Sequence, residues 1–329
     1  MTGKTALVTG ASGFIGRHMV SALAGRGYQV RAGMRDPEHG TAGDGQANVT
    51  PVHIEILDRS TLCAAMEGVD VVFHFAALLD PSRSREELYA VNIDGTRNVW
   101  ECAAACGVGK AVYCSSTAVY GLLTHRMAPV TEGTSACAVE PYGRSKLLGE
   151  EAALEVARRT GLHTTIIRPV AVFGPEEHTP FGRDFRDAAM SRILVAGGFQ
   201  DREFSYVHVE DVAHAAMHLV EYDHASGEIY NIAVSEPVSF EEAFTTFVRV
   251  LEKAGRKYAR VRMLASISSV LHRAPTLLAW LTSVGGQRVF FRIWHPGYDV
   301  SYSSVKLLRT SFRLRHAAFE EVLSSCMRE

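Results

Sequence analysis

The chain has 329 residues, 47% of them hydrophobic and 21% charged, with a formal net charge of −2. That length accommodates one large domain or two intimate ones, and the composition excludes a fibrous or disordered chain. The near-neutral balance leaves no basic footprint for nucleic acid.

From the start, short β-branched runs alternate with helical periodicity. "TALVTG" reads as a buried strand, "FIGRHMVSALAGRG" as a helix and "YQVRAGM" as a second strand. "VTPVHIEIL", "DVVFHFAA", "KAVYCSS" and "HTTIIRP" follow as strands, with helical segments between most of them. This alternation predicts an α/β fold, a Rossmann-type doubly wound parallel sheet covered on both faces. The regularity breaks after "RPVAVFGP" at Arg168. Beyond it come a loop-rich stretch from Glu176 to Gly198, strand-like "FSYVHVEDV" and "GEIYNIA", a helix from about Ser239 to Gly255, and an irregular apolar tail. The expected division is a nucleotide-binding domain of residues 1–174 plus about 204–234, and a smaller C-terminal substrate lobe of about 175–203 plus 235–329.

A strand within the first ten residues leaves no targeting segment ahead of the fold, so a cytoplasmic location is expected. The stretch "VRMLASISSVLHRAPTLLAWL" from Val261 is interrupted by His272, Arg273 and Pro275 and cannot supply the ~20 apolar residues of a spanning helix. The six cysteines, Cys63, Cys102, Cys106, Cys114, Cys137 and Cys326, are dispersed, as reduced thiols would be. Cys102 and Cys106 share a helix face but lack Cys-x-x-Cys spacing, so a packing role is expected.

"VTGASGFIGRH" sets Gly10, Gly13 and Gly16 between the first strand and the first helix. Glycines there allow a tight turn and let a pyrophosphate approach the helix N-terminal amides, where the dipole favours negative charge. An acid about 20 residues on would bond the ribose 2′-hydroxyl of NAD. Met34 occupies that place, and Arg35 follows, able to clamp a 2′-phosphate by charge-assisted hydrogen bonds. NADP(H) is therefore the expected cofactor, with NAD(H) as the alternative in which Asp36 does the acid's work. Past the third strand, Asp58 can reach an adenine amino group or cap the helix that starts near Ser60; both readings stand.

Two stretches hold a tyrosine four residues before a lysine: "PYGRSKLLGE" with Tyr142 and Lys146, and "SYSSVKLLRT" with Tyr302 and Lys306. The first opens the helix after a serine-bearing strand. The second lies in the tail with no serine strand or glycine turn placed to meet it, and reads as a chance match or a helix start.

With "TGASGFIG", "HFAA", "VNIDGT", "SSTAVYG", "PYGRSK", "RPVAVFGP" and "YVHVEDVA" in this order, the chain resembles the extended short-chain dehydrogenase/reductase family over about residues 3–235. Its start is similar to NADP-dependent flavonoid-type carbonyl reductases, and "RPVAVFGP" and the apolar tail to the 3β-hydroxysteroid dehydrogenase branch. The resemblance implies that Tyr142 exchanges a proton with a carbonyl oxygen as hydride passes to or from the nicotinamide. A free phenol near pKa ~10 needs a neighbouring ammonium for that work, and the i, i+4 spacing puts Lys146 on the same helix face. Lys146 would also bond the nicotinamide ribose. Ser116 aligns as the hydroxyl that holds the substrate oxygen, with Thr117 as a lesser candidate and Ser115 one residue early. By the same resemblance, Gly10, Ser12, Gly13, Phe14, Ile15, Gly16, Arg35, Leu57, Asp58, Ala76, Ala77, Tyr142, Lys146, Pro169 and Val172 line the cofactor. Thr117, Ala171 and Arg202 would face the substrate.

Three functions compete: an NADP-dependent ketone reductase or secondary-alcohol dehydrogenase with a hydrophobic, steroid-like or polyketide-like substrate, a nucleotide-sugar epimerase, and a non-catalytic NADP-sensing binding protein. Thr117 and Ala118 stand where a dehydratase of the family needs an Asp-Glu pair, and Ala171 replaces the asparagine that sugar-nucleotide members aim at the diphosphate. Arg202 favours the epimerase. "MLASISSVLHRAPTLLAWL" and "RVFFRIW" favour an apolar substrate. The intact Ser, Tyr and Lys oppose a non-catalytic role. Asn92 and Thr96 match a structural "Asn-x-x-Gly-Thr" element, His74 reads as a core histidine, Asp211 as a cap or structural acceptor, and His208, His214 and His218 as no metal site. Pairing of two copies through the helices near 95–106 and 143–159 is plausible on the same resemblance.

Overall fold

The computed structural model describes residues 3–38, 43, 45–80, 82–121, 129–177, 203–255 and 301–327, together with the backbone of three further strands. Arg202 and "MLASISSVLHRAPTLLAWL" lie outside the described residues, and of "RVFFRIW" only a backbone strand is described.

Strands β1 (Thr5–Thr9), β2 (Gln29–Met34), β3 (Val49–His53), β4 (Val71–His74), β5 (Lys110–Cys114) and β6 (His163–Pro169) alternate with helices. The helices are α1 (Phe14–Gly25), α2 (Arg59–Met66), α3 (Arg85–Tyr89), α4 (Gly95–Ala105) and α5 (Pro141–Thr160), with a π turn, Ala90–Asp94, between α3 and α4. After them come β7 (Ala171–Phe173), β8 (Ile193–Gly197), β9 (Glu203–Phe204), β10 (Tyr206–His208), α6 (Val209–Glu221) and β11 (Ile229–Ile232). The chain continues through β12 (Val238–Ser239), α7 (Phe240–Lys253), β13 (Ala259–Arg262), β14 (Val289–Ile293), α8 (Val305–Leu308) and α9 (Phe319–Ser325).

Seven strands form one parallel sheet in the order β11-β6-β5-β4-β1-β2-β3. The order reverses between β1 and β4, so both of their C-terminal ends open onto one crevice, the place where such sheets bind ligands. Apolar residues cover both faces, which is why the strands read as continuous hydrophobic runs. On one face Met19, Leu23, Val212 and Leu219 pack under α1 and α6; on the other Leu62, Met66, Trp100 and Val156 pack under α2, α4 and α5. A third cluster, around Phe173, Phe204, Tyr206, Phe240 and Phe319, joins β7, β9 and β10 to α7 and α9. Among the described residues no helix is long and apolar enough to cross a membrane.

Two sequence expectations are redrawn. "FSYVHVEDV" is not one strand: the chain leaves β10 at His208, whose ring accepts from the Glu210 amide at 3.3 Å and caps α6, so "VEDV" is helical. The stretch read as loop from Glu176 contains β8, which pairs in parallel with β13 and β14.

One buried ion pair fixes α5 to the sheet. Glu150 accepts from Arg168 Nε at 2.8 Å and from Nη2 at 2.6 Å, and both side chains are almost fully buried. The Arg168 guanidinium also lies over the Tyr120 ring at 4.8 Å. Two fork-like hydrogen bonds make this a strong pair, but its desolvation is costly, so its chief effect is that neither partner tolerates loss of the other. Glu150→Ala is expected to destabilise the fold by about 3–5 kcal/mol in urea unfolding, whereas replacing both residues by apolar side chains of matched volume costs distinctly less.

Candidate active site

The crevice is built from the first turn outward. Gly10 has φ +71, and a Cβ there would meet the Ala76 amide at 2.6 Å, so β1 can turn this closely past β4 only with glycine. A Cβ on Gly16 would collide with the Gly10 carbonyl, which lets α1 start directly on the turn. Gly13, the N-cap of α1, offers no side-chain cap, while Ser12 and Gly13 are exposed. The leading amides of α1 are therefore open to an anion, as a pyrophosphate cradle requires.

The neighbours of this turn are the end of β2 and the start of α2. Ala11 donates to the Gly33 carbonyl at 3.1 Å, which brings the end of β2 and the exposed Arg35 beside it. Asp58 caps α2, its Oδ1 accepting from the Ser60 amide at 2.9 Å and hydroxyl at 2.7 Å, while remaining exposed at the crevice side next to Leu57. The capping reading is thus realised, and it leaves the second carboxylate oxygen out of those two bonds. Sequence reasoning missed Arg17: its guanidinium donates to the Ser12 carbonyl at 2.9 Å and pairs with Glu176, which holds a left-handed φ of 58. With His18 bonded to the Pro175 carbonyl at 3.2 Å, this ties the loop after β7 to the glycine turn.

The catalytic candidates converge at the C-terminal end of β5. Pro141 at the first position of α5 presets the helix, putting Tyr142 in the first turn and Lys146 one turn on. Ser116 ends the strand extension and caps the 3-10 turn Thr117–Tyr120, its hydroxyl oxygen accepting from the Ala118 amide at 3.1 Å. Burial pushes the Tyr142 pKa up, while the Lys146 charge pulls it down. Lys146 is 2% exposed, with its ammonium 4.2 Å from the centre of the Tyr113 ring. Thr117 is turned away to the Pro169 carbonyl at 3.3 Å, and Ala171 is exposed on β7.

Tyr302 and Lys306 do not build a second site. Tyr302 packs on Tyr120 with ring centres 5.9 Å apart, whereas Lys306 bonds Glu228 at 2.6 Å and the Ile229 carbonyl at 2.7 Å.

Asn92 and His74 hold the floor. Asn92 accepts from the Leu78 amide at 2.7 Å and donates to the Leu78 carbonyl at 3.0 Å and to Ser145 Oγ at 2.9 Å. It clamps the segment after β4 to the first turns of α5. His74 lies between Thr9 Oγ1 at 2.6 Å and Thr96 Oγ1 at 3.1 Å, as a satisfied core histidine does. Burial, aided by the Lys146 charge, lowers its pKa to about 3, so it stays neutral beside the lysine.

His208, the N-cap of α6, and His218, in its last turn, bond different groups. His208 faces His316, whose ring bonds Glu210 and Glu321 at 3.1 Å each; His218 bonds Thr310 Oγ1 at 2.8 Å. His208, Glu210 and His316 do gather, but the two imidazoles lie centre to centre at 4.1 Å, closer than two rings on one tetrahedral ion at Zn–N of ~2.0–2.1 Å would stand. Asp211 accepts from the Arg315 and His316 amides at 2.8 and 3.0 Å, a structural tie to the C-terminal segment.

The description "NAD dependent epimerase/dehydratase family" matches residues 6–233. The 3 beta-hydroxysteroid dehydrogenase/Delta 5-->4-isomerase of Mycobacterium tuberculosis is 28% identical over 315 residues, covering 88% of this chain and 77% of that protein. The 2-alkyl-3-oxoalkanoate reductase of Stenotrophomonas maltophilia is 31% identical over 248 residues, 72% of each chain. Among solved structures, UDP-glucuronic acid 4-epimerase from Bacillus cereus in complex with NAD superposes with a TM-score of 0.75 at 19% identity, over 98% of this chain and 97% of that one.

Because His74 titrates near 6.5 when unfolded but only near 3 when folded, the unfolded chain takes up its proton first. Its contribution to stability is complete above pH ~6.5 and is lost as pH falls towards 3. Urea unfolding of wild type at descending pH should show that loss. His74→Asn, less stable at neutral pH, should show a flatter pH dependence, and parallel curves for the two proteins would contradict the assignment.

Proposed function

The chain belongs to the NAD dependent epimerase/dehydratase family, the extended short-chain dehydrogenase/reductases, and within it we propose an NADP(H)-dependent oxidoreductase that reduces a hydrophobic ketone or oxidises the corresponding secondary alcohol. One observation carries the substrate class. Of the four large apolar side chains exposed among the described residues, Leu79 and Val139 lie on segments joined to the start of α5, and Leu57 precedes the Asp58 cap. Leu79 follows the residue that Asn92 clamps towards α5, and Val139 directly precedes the α5 N-cap, Glu140. Apolar surface at that mouth suits a lipophilic substrate, and the two relatives named for steroid and alkyl-oxoalkanoate chemistry support the reading.

The cofactor, when bound, supplies or accepts hydride; the glycine turn fits its pyrophosphate and Arg35 its 2′-phosphate. The protein supplies the proton. A phenol raised by burial is protonated at neutral pH, so Tyr142 stands ready as donor to a carbonyl oxygen, and the buried Lys146 stabilises the phenolate left behind. The Ser116 hydroxyl is assigned to orient the same oxygen. Residues about 175–203 and 235–329 are assigned to the substrate lobe.

The epimerase reading is kept because solved neighbours include a UDP-sugar epimerase. Against it stands Ala171, which offers no polar group to a nucleotide diphosphate. Purified protein with NADPH and lipophilic ketones should consume the reduced nicotinamide. Tyr142→Phe should cut turnover by about 10²-fold or more while NADPH still shifts the melting temperature; normal turnover in that variant removes the catalytic assignment. Interconversion of UDP-hexoses, with no ketone turnover, would favour the epimerase instead. Arg35→Ala should weaken NADPH by about tenfold or more and leave NADH nearly unchanged, and equal losses would overturn the 2′-phosphate argument.

A further inference from the structure

Three of the six cysteines, dispersed in sequence, meet in space on the face opposite α1 and α6. Cys63 lies on α2, Cys102 on α4, the neighbour of α2 on that face, and Cys106 one turn on at the α4 C-cap. The Cys63 thiol points at Cys102 with the two Sγ atoms 2.7 Å apart. Cys106 joins the cluster through its Sγ, which donates to the Cys63 carbonyl at 3.7 Å. The sulfur pair stands little farther apart than the ~2.05 Å of a disulfide, and both side chains already aim at each other, which is the geometric condition most cysteine pairs fail.

The two thiols are not equivalent. Cys102 is fully buried, and burial next to a second sulfur pushes its pKa to about 12, so it does not meet an oxidant first. Cys63 is half-buried and open to solvent. This asymmetry gives one partner that is attacked from outside and one that resolves from within.

We propose that Cys63 and Cys102 form a reversible redox pair whose disulfide staples α2 to α4. With a small disulfide such as oxidised glutathione, the Cys63 thiolate attacks one glutathione sulfur, the glutathione S–S bond breaks, and one glutathione thiolate leaves. Cys102 then gives up its proton and attacks Cys63 Sγ; the mixed disulfide breaks, and the second glutathione leaves and takes the proton. Two protein thiols are oxidised by two electrons, and one glutathione disulfide is reduced to two thiols.

The staple would close a loop of 39 residues that includes β4 and the π turn carrying Asn92. It also lies on the seam where Asn98 Nδ2 of α4 holds the Ile56 carbonyl at 3.1 Å, two residues before the Asp58 cap. α2 is only eight residues long, so it can shift the small distance that closing the bond requires.

The test uses the full-length wild-type chain, reduced, freed of reductant and exposed to oxidised glutathione. After alkylation and non-reducing digestion, the expected product is a cross-linked pair of peptides containing Cys63 and Cys102, with the other four cysteines alkylated, and dithiothreitol restores all six. The melting temperature should rise by about 5 °C on oxidation. Cys102→Ser should stop at a glutathione adduct on Cys63, and Cys63→Ser should show neither adduct nor cross-link on Cys102. Free, fully alkylated Cys63 and Cys102 in oxidised wild type, a persistent glutathione adduct, a Cys63–Cys106 cross-link, or an intermolecular one would each overturn the proposal.

Discussion

The cleft depends on how closely α5 lies against β5 and the π turn. Two positions on its inner face must be glycine: a Cβ on Gly143 would run into the Ala118 carbonyl, and one on Gly149 into the Tyr113 hydroxyl and the Asn92 carbonyl. Attraction then holds what the missing side chains permit. The Glu150–Arg168 pair pulls the helix onto β6, and Ser145 takes a hydrogen bond from Asn92. Lys146 sits between these anchors and Tyr142 directly ahead of the first, so their placement is set by backbone approach rather than by any adjustable loop.

That closeness also shapes the electrostatics. Buried Lys146 sits over the Tyr113 ring, and its charge acts on two further buried groups, the Cys114 thiol and the His74 imidazole. Burial raises the Cys114 pKa to about 11 and lowers that of His74 to about 3, so both stay uncharged at neutral pH. The lysine therefore acts on the phenol in a low-dielectric setting without a charged thiolate or imidazolium to dilute its field. The aromatic trio of His74, Trp100 and Tyr113, with centres 5.6–5.8 Å apart, keeps water from that side.

Much of this was legible in the sequence because it is local. The glycine turn, the strand–helix alternation and the Tyr142–Lys146 spacing are each written within a dozen residues, and each recurs in the structure where its spacing put it. What could not be read depends on residues far apart in the chain. Asp211 serves amides 104 and 105 positions away, Arg17 meets Glu176 across 159, and Cys63 faces Cys102 across 39. One of the missed contacts did leave a local trace: Glu150 falls in the stripe Lys146, Gly149, Ala153 that a buried helix face would occupy, and an acid there calls for a buried cation. The strand reading of "VEDV" failed for a different reason, because apolar alternation over so few residues cannot show that a histidine ahead of it will cap a helix.

β11 pairs with β6 on the open side of the sheet, yet it is synthesised only after β7, β8, β9, β10 and α6. Until the ribosome has passed Ile232, the nascent chain carries β6 as an unpaired edge with Ile166 and Ile167, a template for association with another chain. The same strand bears Arg168, whose partner on α5 is already made by then. The helix that carries Tyr142 can thus be locked early, while closure of the sheet must wait for a late, non-local strand.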